Sequence, residues 1–218
     1  MNLKAQPKLS KAGKMPCPSY SFNAGVTCPG SRRRVNGKME LVGVCAGCYA
    51  LDGNYRFPNV KAIRSHNEQD ILRDGWVERM VELLQSDRYF RWFDSGDCYT
   101  ISRGEKILQV MEQTPWCKHW MPTKMHHVGA KFRALFDRMN ALPNVVVRYS
   151  ALDVGETLTC SAPVSAVVID STHKPEGYKM CEAYTRKGKC HTCRMCWDAS
   201  ISIAYPVHGR KLIKLTHL

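Results

Sequence analysis

Tyr89-Phe90-Arg91-Trp92-Phe93-Asp94-Ser95-Gly96-Asp97 is the stretch on which the fold turns. A strand-type aromatic run passes into a tetrad of Asp, Ser and Gly, so a strand ending in a loop is predicted here. Ser102-x-x-Glu105 then reads as a capping box, opening a helix whose apolar positions are Ile107, Leu108, Val110 and Met111, with Pro115 punctuating its end. Strand-like His119-Trp120-Met121 follows, then a helix over 129–140 carrying Phe132, Leu135, Phe136 and Met139, then Val145-Val146-Val147. The order is β–α–β–α–β.

Working outward, Ser65-x-x-Glu68 predicts another helix start, with Ile71, Leu72, Trp76, Met80, Val81 and Leu84 at helical spacing. The apolar runs over 164–169 and 201–207 read as further strands. Alternating strands and helices imply an α/β protein with a parallel sheet. The expected architecture is a partial (β/α) barrel or an open parallel sheet of five to six strands, its site at the C-terminal strand ends. A chain of 218 residues is short for a complete eight-stranded barrel. We read 1–218 as a single domain: a loop-rich segment with the first cysteine group (1–60), a β/α core (61–175), and a second cysteine group with the last strand (176–218).

Eleven cysteines constrain the chemistry most. A disulfide framework belongs to short secreted domains that cannot build a core, whereas this chain can. The start is lysine-dotted rather than apolar, and no run of about 18 apolar residues spans a bilayer, so cytoplasmic residence and no membrane partner are expected. In a reducing compartment, clustered thiols more often bind metal than pair.

The C-terminal group, Cys181, Cys190, Cys193 and Cys196, offers four thiolates, enough for tetrahedral zinc or a 4Fe-4S cluster. Successive two-residue gaps favour iron–sulfur, and zinc is the alternative metal. The polar neighbours Lys187, Lys189, His191 and Arg194 argue against four buried, inert cysteines, and Trp197 is placed to shield a cluster from water. The N-terminal group is Cys28, Cys45 and Cys48, with Cys17 upstream. Four ligands would close the site, whereas three would leave one iron of a cluster open. A redox dithiol of Cys45 and Cys48 is the competing reading, without the thioredoxin-like context it requires. His126 and His127 make a poor zinc pair and are expected at the surface or capping a helix. Asp94 and Asp97 suit an acid–base pair or an ordinary turn.

Charge is the other constraint: 32 Lys+Arg against 19 Asp+Glu give +13, and nothing acidic precedes Glu40. Arg32, Arg33 and Arg34 sit in that basic stretch. Such a balance points to nucleic acid or an acidic host protein as partner, and part of it offsets anionic thiolate clusters.

Thr27-Cys28-Pro29-Gly30, Cys45-x-x-Cys48-Tyr49-Ala50, Trp92-Phe93-Asp94-Ser95-Gly96-Asp97 and Cys190-x-x-Cys193-Arg194-x-Cys196-Trp197 together resemble the phage family called gene product 88, over about residues 22–205. That family in turn resembles a shortened radical S-adenosylmethionine enzyme, a partial barrel with a three-cysteine cluster in its first loop. The resemblance implies that Ser95, Gly96 and Asp97 stand where such enzymes contact the cofactor's amino group, and that Arg148, Ser150 and Asp153 meet its carboxylate or ribose. The chain departs from the main pattern in the sixteen residues between Cys28 and Cys45, and in Gly47 preceding Cys48.

Three functions follow as expectations. The first is a reductive radical enzyme with one or two 4Fe-4S clusters and S-adenosylmethionine, of unknown substrate. The second is a non-enzymatic iron–sulfur protein whose basic surface binds nucleic acid or a host protein. The third is a zinc-stabilised protein without redox chemistry.

Overall fold

The structure is a computed structural model that describes residues 6–11 and 13–216. Its core strands are β1 (Ser10–Lys11), β2 (Pro18–Tyr20), β5 (Tyr89–Trp92), β6 (Lys118–Thr123), β7 (Val145–Val154), β8 (Val164–Val168), β9 (Tyr178–Met180) and β10 (Ser202–Pro206). They form one sheet in the order β1-β2-β5-β6-β7-β8-β10-β9. Every neighbouring pair is parallel except β1 with β2. β3 (Arg32–Val35) and β4 (Lys38–Leu41) form a separate two-stranded antiparallel ribbon. The helices are α1 (Pro58–Asp70), α2 (Trp76–Leu83), α3 (Ile101–Gln113), α4 (Ala130–Asn140) and α5 (Arg210–Thr216).

The parallel α/β reading holds, and the strand count is corrected from five or six to eight. β1, β2 and β9 are two or three residues long, too short to display an alternating pattern. Among the described residues β1 and β9 are the two edge strands and do not pair with each other, so the sheet is open. The expected continuous helix from Ser65 is also corrected. α1 begins at Pro58, whose fixed φ suits a first helical turn. Gly75, at φ +72°, breaks the run before α2, leaving Ser65 mid-helix. In α3 the capping side chain is Thr100, which accepts from Arg103 N, rather than Ser102.

Strand alternation divides the sheet into two faces. On β6, Met121 joins the large core beneath α1–α4, while Trp120 points to the opposite face. On β7, Val145 and Val147 go to the helical side and Val146 to the other. The helical side is dense with aromatics: Trp92 and Trp76 are fully buried and pack edge-on or tilted around Tyr20. Each such side chain contributes about 1.5–3 kcal/mol through burial. The opposite face is covered by the segment that carries the second cysteine group. Trp197 wedges between Tyr89 and Trp120 and donates from Nε1 to Phe90 O at 2.9 Å. Cys190 N donates to Lys14 O at 3.0 Å, tying this segment to the loop between β1 and β2. Both sheet faces are therefore buried, as parallel sheets require.

Candidate functional site

β2 is the first of the parallel strands, and the long crossover from it to β5 carries Cys28, Cys45 and Cys48. The sixteen-residue gap between the first two closes on itself. The β3–β4 ribbon leaves after Ser31 and returns at Val42, whose N donates to Ser31 O at 3.0 Å. Cys45 Sγ accordingly sits 3.2 Å from Ser31 Oγ, three residues beyond Cys28. Short one-turn helices, 29–31, 43–45 and 49–51, hold the three cysteines at their ends. Gly43, at φ +55°, abuts the Leu152 carbonyl, and Gly47 lies against Leu212 of α5, where a Cβ would come within 2.6 Å of that residue's Cα. Larger side chains there would push the cysteine loop off its supports.

The three thiols line a cavity of about 200 Å³ whose far wall is the loop after β5, Asp94 to Asp97, with Thr123, Lys124 and Ser150 from the C-terminal ends of β6 and from β7. This placement at C-terminal strand ends follows from the parallel topology. Burial, then Asp97, Cys45 and Cys48 push the Cys28 thiol up to about 12. Burial likewise raises Cys48, and Cys45 adds to it. Cys45 thus acts on both of its neighbours, and a metal that took these thiols as ligands would have to displace their protons.

The loop after β5 is rigidly held. Asp94 accepts from Ser21 Oγ and Tyr55 OH, pairs with Arg64 at 3.2 Å, and its backbone carbonyl accepts from Tyr49 OH at 2.7 Å. Ser95 Oγ donates to Phe22 O and accepts from Arg64 Nε, both at 2.6 Å. Gly96, at φ +76°, takes a conformation open to glycine. Asp97 accepts from Cys98 N, Thr123 Oγ1 and Lys124 N at 2.7–2.9 Å, and burial raises its pKa against these donors. Asp94 and Asp97 are thus anchors of a turn, with their carboxylates occupied by hydrogen-bond and ion-pair partners.

The resemblance-derived residues divide. Ser95, Gly96, Asp97 and Ser150 line the first cavity. Arg148 does not: it is fully buried and donates to the carbonyls of Val164 (2.9 Å), Ile201 (2.5 Å) and Asp198 (2.8 Å), bracing the segment that leads into β10. β7 alternation sends it away from the helical side and beneath that segment. Asp153 is exposed at the end of β7, beside Gly43, and is outside the cavity lining.

In the second group, Cys181, Cys190 and Cys196 line a cavity of about 350 Å³ with Lys14, Arg91, Trp120 and Tyr205. Cys193 belongs to the same turn, its N donating to Cys190 O at 2.9 Å, yet is not among the lining residues. Cys196 Sγ lies 3.5 Å from Tyr205 OH, and burial pushes its thiol up to about 11. Cys17 is buried with Trp120, Val146 and Trp197 on this side of the sheet and lines neither cavity. Among the described residues no disulfide forms, and no three His, Cys, Asp or Glu side chains approach closely enough to hold a single metal ion.

Sequence reasoning missed the relation between the two groups. Tyr49, Arg91, Asp94 and Pro122 line both cavities, so one layer of side chains separates them. Arg91 lies 4.7 Å over the Trp120 ring. Burial disfavours its charge, but Tyr49, Asp94, Tyr55 and Cys196 outweigh that and raise its pKa. The aromatic alternation of β5 was the available signal, since it turns Arg91 away from the helical core. The histidines also differ from expectation: His126 is buried and stacks parallel on Tyr149 at 4.4 Å, with the His127 ring at 3.9 Å. Burial lowers His126 to about 3 and keeps it neutral.

Among the described residues no helix is long and apolar enough to cross a membrane. No curated protein and no solved structure matches the chain. A family model described as gene product 88 matches residues 1–199. With nine-tenths of its length matched, including both cysteine groups, the chain belongs to the phage gene product 88 family.

Proposed function

We propose that the protein binds iron–sulfur clusters on a radical S-adenosylmethionine-like scaffold. Cys28, Cys45 and Cys48 would hold a 4Fe-4S cluster with one iron left open, and Cys181, Cys190, Cys193 and Cys196 would hold a second. The observation that carries this reading is the convergence of three cysteines from a broken spacing on one cavity, opposite the Asp94–Asp97 loop. The donor count fits. Thiols spread around a cavity suit a multi-atom cluster, because a single zinc with bonds of about 2.3 Å draws its sulfurs into one tight shell. Cys17 lies away from the first cavity, which leaves that group with three cysteines.

In this reading Ser95, Gly96, Asp97 and Ser150 form the wall against which S-adenosylmethionine is held, and Arg91 adds positive charge between two anionic groups. A reducible cluster with an open iron supplies one-electron chemistry to a ligand bound beside it. Trp197 and Trp120 keep water from the second group.

The test is anaerobic purification with iron, acid-labile sulfide and zinc measured per chain. About eight irons with matching sulfide are expected. Cys28→Ser should remove about half the iron and the spectral response to added S-adenosylmethionine, leaving the second cluster in place. Stoichiometric zinc without sulfide would overturn the proposal.

A further inference from the structure

We propose that the β3–β4 ribbon is an arm that enters the major groove of duplex DNA and grips its phosphates. The ribbon lies outside the eight-stranded sheet, and every residue from 33 to 40 is exposed, so among the described residues nothing covers that part of it. An isolated hairpin is marginal in water, yet this one is built to hold its shape. Asn36 and Gly37, at φ +47° and +79°, form the tight turn whose twist matches paired strands. Its base is pinned by the Val42 N to Ser31 O hydrogen bond and by Gly30, which lies against the Lys124 carbonyl.

The register distributes positive charge over both faces. Arg32 opposite Leu41 and Arg34 opposite Met39 share one face, and Arg33 opposite Glu40 and Val35 opposite Lys38 share the other. Glu40 is the ribbon's one carboxylate, and it makes no ion pair among the described residues. The guanidinium hydrogen bonds of Arg33 and Arg34 run only to backbone carbonyls of the ribbon itself, Arg32 O and Gly37 O. The basic surface continues at the base through Lys124, whose carbonyl meets Gly30. After burial and against an opposing pull from Glu156, Arg33 and Lys124 both act to hold His127 below its usual range.

The two-faced charge selects the partner. An acidic protein surface meets one face of a ribbon, whereas a groove encloses both. The major groove of B-DNA, about 12 Å wide, admits a two-stranded ribbon, and its flanking phosphates suit the guanidinium fork. The major groove of A-form RNA is too narrow for this. The inference does not depend on the cofactor reading. It does place the duplex beside the first cavity, because Ser31, immediately before β3, is part of that cavity's lining.

The experiment measures fluorescence anisotropy of a labelled 20-bp DNA duplex, a 20-nucleotide single strand and a 20-bp RNA duplex with the full chain at 50 and 200 mM salt. Arg33→Gln/Arg34→Gln/Lys38→Gln is compared with Lys61→Gln/Lys174→Gln/Lys179→Gln, an equal charge loss at exposed sites elsewhere. The ribbon variant should bind duplex DNA at least about tenfold more weakly at 50 mM salt, with a log–log salt slope shallower by about 2–3. The distal variant should stay within about twofold of the parent. Matching thermal unfolding curves confirm that the ribbon variant folds. Equal losses in the two variants, no loss in the ribbon variant, or tighter binding to the RNA duplex or the single strand would overturn the proposal.

Discussion

The Arg64 guanidinium lies 3.2 Å from the Asp94 carboxylate, with both side chains more than nine-tenths buried. This pair fastens α1 to the loop after β5, and Arg64 completes the clamp by donating to Ser95 Oγ. Removing one partner strands a buried charge. Arg64→Met should therefore cost about 3–5 kcal/mol in urea unfolding. Arg64→Met with Asp94→Asn should cost less than the sum of the single changes by at least about 1 kcal/mol.

Gly96 carries the turn of that loop. A Cβ there would stand 2.6 Å from Thr27 Oγ1 and 2.8 Å from Phe22 Cβ, at a φ of +76°. Gly96→Ala should destabilise by more than about 2 kcal/mol and displace Cys28, which adjoins Thr27, lowering iron bound per chain. Gly155→Ala is the control: its φ of +82° carries similar strain, but nothing lies within 4 Å of the added methyl. It should cost about 1 kcal/mol and leave iron content unchanged.

Arg148 braces the second cysteine segment through three carbonyls. Arg148→Met would leave those acceptors buried without donors, at a cost of about 3–5 kcal/mol. The local readout is Trp197, whose emission should shift to longer wavelength as the segment loosens. Iron at the first group, measured in a Cys190→Ser background, should remain.

Acid sensitivity follows from His119. It is fully buried, accepts from Trp92 Nε1 at 3.2 Å and lies 2.8 Å from Thr114 Oγ1, and burial lowers its pKa to about 3. The unfolded chain takes up a proton near pH 6.5 that the folded chain refuses, so stability falls as pH drops from about 6.5 toward 3. His119 and the similarly lowered His126 each contribute a slope of about 1.4 kcal/mol per pH unit over that window. Urea unfolding between pH 7 and 5 reads this slope, and His119→Gln should reduce it by one proton's worth.

Legibility varied with the length of the local pattern. β6, α4, β7, β8 and β10 could be read because each carries a long enough apolar or periodic run, as in Val145-Val146-Val147, whose residues are apolar throughout because both sheet faces are buried. β1, β2 and β9 could not, because strands of two or three residues are defined by the neighbours they pair with. The α1–α2 break is a related case: apolar spacing ran on across Gly75, and the left-handed turn there interrupted it. The ribbon was read only as a basic run in a loop-rich segment, since its exposed faces carry no apolar alternation.

For the site, the sequence alone determined the donor types, their two groups, the basic bias and the loop after β5, because residue chemistry and short-range turns are local properties. Tertiary structure decided which residues share a cavity. The ribbon's closure brings Cys45 back beside Ser31, and strand alternation turns Arg148 under the last cysteine segment and Arg91 between the two groups. Such relations depend on which face of a sheet a side chain leaves and on what another part of the chain lays over it. A one-residue change of register inverts the first, and packing between distant segments sets the second.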